Sequence, residues 1–281
     1  MINLDSKLIV FFEILGKMME TKLNSEEIPT GLMSSMDITD AELLPFIPYL
    51  FKDLWELGSA PGYKYELLKK NMLATGKPKI LDLGCGKGAE LIQLRLKFEF
   101  EGLGIDIIPE FIEDAKFRCS LNKCKDLTFK VEDYKAKLSD YNDFKVVIFS
   151  YDSDLLGSIS ESLKALKTVV PPAKGYILFD NAIRKNETPS ELNKSYPSFK
   201  ETKSFIADAN LQIFGYIYWD MPTLKRQNDF NNTCIAGRAR ELKEKYPDKS
   251  EILQQFVANQ LHESNLLATD LICVTWLLKN G

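Results

Sequence analysis

The sequence predicts a doubly wound α/β fold on a mostly parallel seven-stranded sheet. Three observations carry that expectation. From Lys79 onward, short β-type runs alternate with helical runs of the length that crosses over between parallel strands. The first of these strands enters a glycine-rich turn that opens a helix, LDLGCGKG at 81–88. The second ends on an acidic residue, Asp106, 20 positions after Gly86.

The elements follow in order. Over 6–19, Leu8, Phe11, Phe12, Leu15, Met18 and Met19 recur on a helical period. A polar break at 34–40 offers Thr39 or Asp40 as the N-cap of a second helical run reaching Trp55, with Pro45 and Pro48 near its start. Gly58 and Pro61-Gly62 end that run, and 63–73 reads as another short helix. Residues 1–75 are therefore expected to form a helical N-terminal extension.

The main domain, 76–281, then reads as strands at 79–83, 103–107, 127–131, 145–150, 175–179 and 211–219. Helices are expected at 89–98, 110–121, 155–169 and 196–209. An insert at 220–265, with helices near 228–245 and 250–262, precedes a last strand at 271–278. After so long an excursion, that strand is expected to run antiparallel as a hairpin partner at the sheet edge. The insert would then lie over one end of the sheet as a candidate lid.

Composition narrows the function. The 281 residues are 45% hydrophobic and 27% charged, with a formal net charge of −4, ordinary for a globular chain. A net acidic chain is a poor match to a phosphate backbone, so no nucleic-acid partner is expected. Cys85, Cys119, Cys124, Cys234 and Cys273 are odd in number and irregular in spacing, which suggests neither a disulfide framework nor a zinc site and fits a reducing, cytoplasmic compartment. The apolar run at 8–12 lacks the flanks of a signal peptide, and no stretch approaches the ~20 apolar residues of a membrane span.

The chemistry concentrates around the glycine loop. Glycines there let the backbone turn sharply and approach a ligand closely, and a carboxylate at the end of the next strand suits ribose hydroxyls. A dinucleotide fingerprint, G-x-G-x-x-G, would want its third glycine at position 89, where Ala89 stands, so nicotinamide binding is the weaker reading.

ILDLGCGKG at 80–88, GIDI at 104–107, VEDY at 131–134 and PPAKGYILFD at 171–180 together resemble the motifs of class I S-adenosylmethionine-dependent methyltransferases. The chain is most similar in feel to bacterial small-molecule enzymes related to the ubiquinone and menaquinone methylases. The resemblance covers about 79–182 and continues more loosely to the C-terminus; Pro-Pro-Ala-Lys-Gly stands where many members have Pro-Gly-Gly.

That resemblance implies a Rossmann-like fold, S-adenosylmethionine as cofactor with S-adenosylhomocysteine as product, and a small-molecule acceptor. It implies that Gly84, Gly86 and Gly88, with Cys85 between them, wrap the methionine part of the cofactor. Asp82 would steady the loop or reach the methionine ammonium through water, and Asp106 would bind both ribose hydroxyls. Ile107 would lie against the adenine, Asp133 would accept from its amino group with Tyr134 alongside, and Ser150 would offer its carbonyl to the ammonium. Asp133 is equally readable as a turn residue, and Ile107 and Tyr134 as packing.

Carboxylates at the C-terminal strand ends are the candidates for acid–base work, Asp180 foremost, with Tyr151, Asp152 and Trp219 on the acceptor side. His262, the one histidine, reads as a surface or packing residue. Asp180-Asn181 resembles the magnesium pair of catechol-type O-methyltransferases, but the partner carboxylate expected at Ser150 falls at Asp152 instead, so no metal is assigned. Protein or nucleic-acid methylation and a non-catalytic cofactor-binding module are the competing functions. A monomer and a homodimer are both compatible with the sequence.

Overall fold

The computed structural model describes residues 33, 36, 38–71, 76–151 and 155–281. The expected helix at 6–19 and Asp152 lie outside the described residues.

A seven-stranded sheet organises the chain: β1 (Lys79–Leu83), β2 (Glu101–Asp106), β3 (Leu127–Val131), β4 (Val146–Ser150), β5 (Tyr176–Arg184), β6 (Leu211–Tyr218) and β7 (Leu271–Asn280). Their order is β3-β2-β1-β4-β5-β7-β6, with β7 antiparallel to both neighbours. The expected antiparallel last strand is therefore present, but not at the edge. It wedges between β5 and β6, and β6 is the edge strand. The run LICVTW is apolar on both faces, as an interior strand requires, and Trp276, Leu277 and Leu278 are fully buried.

Pairing with β7 also lengthens β5. Nine register pairs run from Tyr176↔Lys279 to Arg184↔Leu271, so Asp180 sits within the strand rather than after it. It nevertheless lies level with the end of β4, opposite Ser150.

Nine α-helices occupy the described residues: α1 (Ile47–Leu50), α2 (Pro61–Asn71), α3 (Ala89–Arg95), α4 (Pro109–Leu121), α5 (Tyr134–Lys137), α6 (Ile159–Val169), α7 (Phe199–Asp208), α8 (Met221–Lys245) and α9 (Ser250–Thr269). Ser158 and Ser198 close capping boxes with Glu161 and Glu201, which sets the starts of α6 and α7. Asp40 caps the 3-10 turn Ala41–Phe46, accepting from the Glu42 N–H at 2.9 Å. Two boundaries differ from expectation because proline opens a helix as readily as it closes one. Pro61 starts α2 instead of ending the preceding helix, and α8 begins at Met221, capped by Asp220 with Pro222 in its first turn.

Two cores flank the sheet. Odd-numbered residues (Leu81, Val147, Phe149, Ile177, Phe179) pack with α6 and α7. Even-numbered ones (Ile80, Val146, Ile148, Leu178) pack with α2, α3 and α4. A third core belongs to neither face. Leu43, Phe46, Ile47 and Leu50 pack with Ile235, Ala239, Leu242, Leu253 and Phe256, so the N-terminal segment and the insert are built together. Arg238 reinforces the join with a two-pronged pair to Asp53 (Nε–Oδ2 2.6 Å, Nη2–Oδ1 2.9 Å), and the Tyr49 hydroxyl donates to Glu241.

Gly88 has a left-handed backbone (φ 73°), and a Cβ there would meet Phe129 Cε1 at 2.8 Å. Gly58 is equally left-handed (φ 79°), but nothing lies within 4 Å of its would-be Cβ. Urea unfolding should separate the two costs. Gly58→Ala is expected to lose about 1 kcal/mol from backbone strain, and Gly88→Ala about 3 kcal/mol because overpacking adds to it.

Candidate active site

Alternation along β-strands decides the floor of the site. Asp82, Ser150 and Asp180 occupy even positions on β1, β4 and β5, the face packed on α2 and α3. There they meet Lys64 of α2 and Glu90 in the first turn of α3. Lys64 is fully buried, its ammonium 2.6 Å from Glu90 Oε1 and also donating to Asp180 Oδ2. Ser150 Oγ reaches the same Asp180 oxygen at 3.2 Å, and the Ala60 N–H donates to Glu90 Oε1 at 2.7 Å.

Burial alone would discharge Lys64, but the two carboxylates overrule it and hold the ammonium charged. Three carboxyl groups surround this one cation. Burial raises Asp82 well above the ordinary carboxylate range, with Glu90 adding repulsion, and burial likewise raises Glu90. Asp82 Oδ2 and Glu90 Oε2 are buried without a hydrogen-bond partner. Such orphaned oxygens cost about 1–3 kcal/mol each unless a donor arrives.

Above the floor lies a cavity of about 290 Å³ at the C-terminal ends of the parallel strands. Asp82, Gly84, Cys85, Gly86, Asp106, Ile107, Tyr134 and Ser150 all line it, as does Glu90. Its roof comes from α8 and α9 of the insert, including Asn231, Asn232 and Glu263.

Asp106 fastens the glycine loop to β2. Its Oδ2 accepts the Gly86 N–H and its Oδ1 the Ile108 N–H, both at 2.9 Å. Burial lifts this carboxyl to about 6, against the lowering effect of those N–H donors. The N–H groups of Gly84 and Cys85 donate to the Ile105 carbonyl at 2.9 Å, so the loop is anchored at three points. The Cys85 thiol is pushed well up by burial and stays protonated, packed against Gly104.

Other expected site residues stand elsewhere. Gly88 caps α3 and allows the helix to approach Phe129 rather than opening toward the cavity. Asp133 is the N-cap of α5, accepting from the Lys135 N–H at 2.9 Å, which matches the turn-residue alternative. Tyr151 turns back onto Phe179, at 6.2 Å between rings, because it has the odd parity of the opposite core. Trp219 is buried beside Tyr63, its indole N–H on Thr275 Oγ1 at 2.8 Å. Asp180 lies beneath the cavity wall, engaged by Lys64. Asn181 points to the other face, where it accepts from Trp276 Nε1 at 2.8 Å, so the Asp180-Asn181 side chains do not converge.

Lys64 and Glu90 are the residues that sequence reading missed. Both lie on helices whose polar positions look solvent-facing. The one available signal was Glu90 at a position of α3 where its neighbours Leu91, Ile92 and Leu94 are all core.

A glycine loop after β1, an acidic residue ending β2 and a pocket at the strand ends define a nucleotide-cofactor-binding α/β enzyme. A family model described as a methyltransferase domain matches residues 75–237. The chain belongs to that methyltransferase family, and its sheet is the Rossmann-like sheet of class I members. A sequence search of curated proteins returned no match.

Among solved structures, a SAM-dependent methyltransferase from Geobacter sulfurreducens in complex with S-adenosylhomocysteine superposes with a TM-score of 0.68 at 17% identity, covering 84% of this chain and 98% of that one. A Thiobacillus denitrificans counterpart, also with S-adenosylhomocysteine, gives 0.68 at 16% identity over 84% and 98%. A phosphoethanolamine N-methyltransferase from Haemonchus contortus, bound to phosphomonomethylethanolamine and S-adenosylhomocysteine, gives 0.53 at 16% identity over 77% and 52%.

Removing the buried cation should expose its structural role. Lys64→Met leaves Glu90 and Asp180 facing each other uncompensated and is expected to cost about 3–5 kcal/mol in urea unfolding. Adding Glu90→Gln and Asp180→Asn should recover most of that loss, because neutral amides carry no unpaired charge.

Proposed function

We propose that this methyltransferase moves a methyl group from S-adenosylmethionine to a small-molecule acceptor inside the roofed cavity. The observation that carries the reading is the convergence, in one cavity, of the Asp106-anchored glycine loop with the orphaned oxygens of Asp82 and Glu90. Asp106 accepts the Gly86 N–H on Oδ2 and the Ile108 N–H on Oδ1, and a carboxylate has about four lone-pair sites, so it has capacity left for ribose hydroxyls. Ile107 and Tyr134 supply apolar surface for an adenine, and Asp82 with Glu90 seats the methionine ammonium, which matches the carboxylate surplus of the floor.

When bound, the cofactor supplies an electrophilic methyl group on a sulfonium. The chain's own contribution is position and dryness: Trp55, Phe111 and the insert helices exclude water, and the anchored loop holds the reacting end in place. Asp180, held by Lys64, acts as a positioning residue for the floor. A small acceptor is supported by the roof of α8 and α9 and by the acidic balance of the chain. The ligand named for the Haemonchus contortus relative is likewise small.

Calorimetric titration with S-adenosylmethionine and S-adenosylhomocysteine tests the reading. Micromolar binding, about −8 kcal/mol, is expected, and Asp106→Ala should weaken it roughly a hundredfold through loss of charge-assisted hydrogen bonds. No binding by folded protein would refute the assignment.

The pH dependence has a definite sign. Ribose hydroxyls donate to ionised Asp106, so bound cofactor favours the charged form and affinity is greatest well above the free carboxyl's value of about 6. Affinity should fall as pH drops below that value, approaching tenfold per unit, and Asp106→Asn should flatten the profile.

A further inference from the structure

Lys87 stands inside the glycine loop, between Gly86 and Gly88, yet its side chain runs to a segment that precedes the sheet. It is buried, with 3% exposure. Its ammonium donates to the carbonyls of Phe51 at 2.6 Å and Lys52 at 3.2 Å. It also stands 3.4 Å from Asp114 Oδ2 and 5.6 Å over the Phe111 ring. An ammonium taken out of water needs acceptors of this kind. Lys87 and the two carbonyls therefore hold one another in register.

Phe51 and Lys52 begin a strap, residues 51–60, that contains neither helix nor strand. Contacts with the glycine loop and α3 give the strap its course. Trp55 Nε1 donates to the Lys87 carbonyl at 3.3 Å, so Lys87 meets the strap through both its side chain and its backbone. Leu57 covers Gly86, where a Cβ would meet Leu57 Cδ1 at 3.2 Å. The Ala60 N–H reaches Glu90, and Glu56 accepts from Gln93 of α3 and, at 3.1 Å, from Gln227 of α8.

The same strap walls the cavity, which Phe51, Leu54, Trp55, Leu57 and Ser59 all line. A wall without a hydrogen-bond ladder of its own opens at small cost unless it is tethered. The two charge-assisted hydrogen bonds from Lys87 are the strongest ties between this wall and the loop.

Resting on the cofactor reading above, we propose that Lys87 is a positioning residue for methyl transfer. It pins the strap 51–60 across the glycine loop, and the pinned strap sets how long the cofactor and its product stay bound. Lys87 acts through the carbonyls of Phe51 and Lys52. The linkage is reciprocal: a strap that slows escape of the ligand is itself held more firmly while the ligand is bound.

The test uses full-length protein and S-adenosylhomocysteine. Rapid filtration with tritiated ligand gives the release and association rates, and amide hydrogen exchange follows the strap. Lys87→Met keeps the apolar stem and removes the donors. It is expected to speed release about tenfold through the lost charge-assisted bonds, with association within about twofold of the native rate. Exchange over 51–57 should rise while β1 and β4 exchange as before. Trp55 should become easier to quench with acrylamide, a change absent in a Trp55→Phe background because Trp219 and Trp276 are buried elsewhere.

The native protein supplies an arm that needs no variant: saturating S-adenosylhomocysteine should slow exchange over 51–57. Release at the native rate from folded Lys87→Met would overturn the proposal. So would a rise in exchange spread over the whole sheet, the mark of a merely structural lysine, or strap exchange in the native protein that ignores bound ligand. Failure of the folded native protein to bind S-adenosylhomocysteine would instead strike the cofactor reading beneath it.

Discussion

Lys64 is buried without any exposure, on a helix that precedes the sheet in the chain, and its ammonium meets carboxylates from α3 and β5. Much of the site depends on that contact. A lone ammonium is costly to bury, and so are two carboxylates; together they are tolerable only if their geometry is held. The pairing therefore locks α2 to the sheet at one register, which places Ala60 to donate to Glu90 and sets the floor beneath the glycine loop. Three carboxyl groups, Asp82, Glu90 and Asp180, share this one cation. Asp82 and Glu90 each keep an oxygen that no described residue satisfies, and a cationic ligand group is what such a floor can accept.

A second constraint governs the roof. The segment before the sheet and the insert between β6 and β7 are far apart in sequence, yet they share an apolar core, the Arg238–Asp53 pair and the Tyr49–Glu241 hydrogen bond. Neither could bury its apolar face alone, since α8 is polar along most of its length and the 3-10 turn before α1 is short. Joined, they form a cap whose cavity-facing side is free to carry amides and a carboxylate. The sheet supplies the glycine loop and Asp106, and the joined elements supply the remaining wall of the same cavity.

The sheet was largely legible because its signals are local. β1 and β3 have the bounds that their apolar runs suggest, and the loop residues Asp82, Gly84, Gly86 and Asp106 line one cavity. Less legible were residues whose role depends on strand parity. Tyr151 and Asn181 neighbour site positions in sequence but face the opposite core, since one step along a strand reverses the side chain. Gly88 looks like part of a ligand loop, whereas its constraint comes from Phe129 on another strand.

By itself, the sequence determined the alternation of strands and helices, the glycine turn, the acid that anchors it, and hence the class of cofactor site, because each rests on interactions among residues close along the chain. Only the tertiary structure decided the interior place of β7, the burial of Lys64 between Glu90 and Asp180, and the shared core under the insert. Those depend on which distant surfaces meet, and a polar residue on an amphipathic helix reads the same whether it faces water or a buried carboxylate.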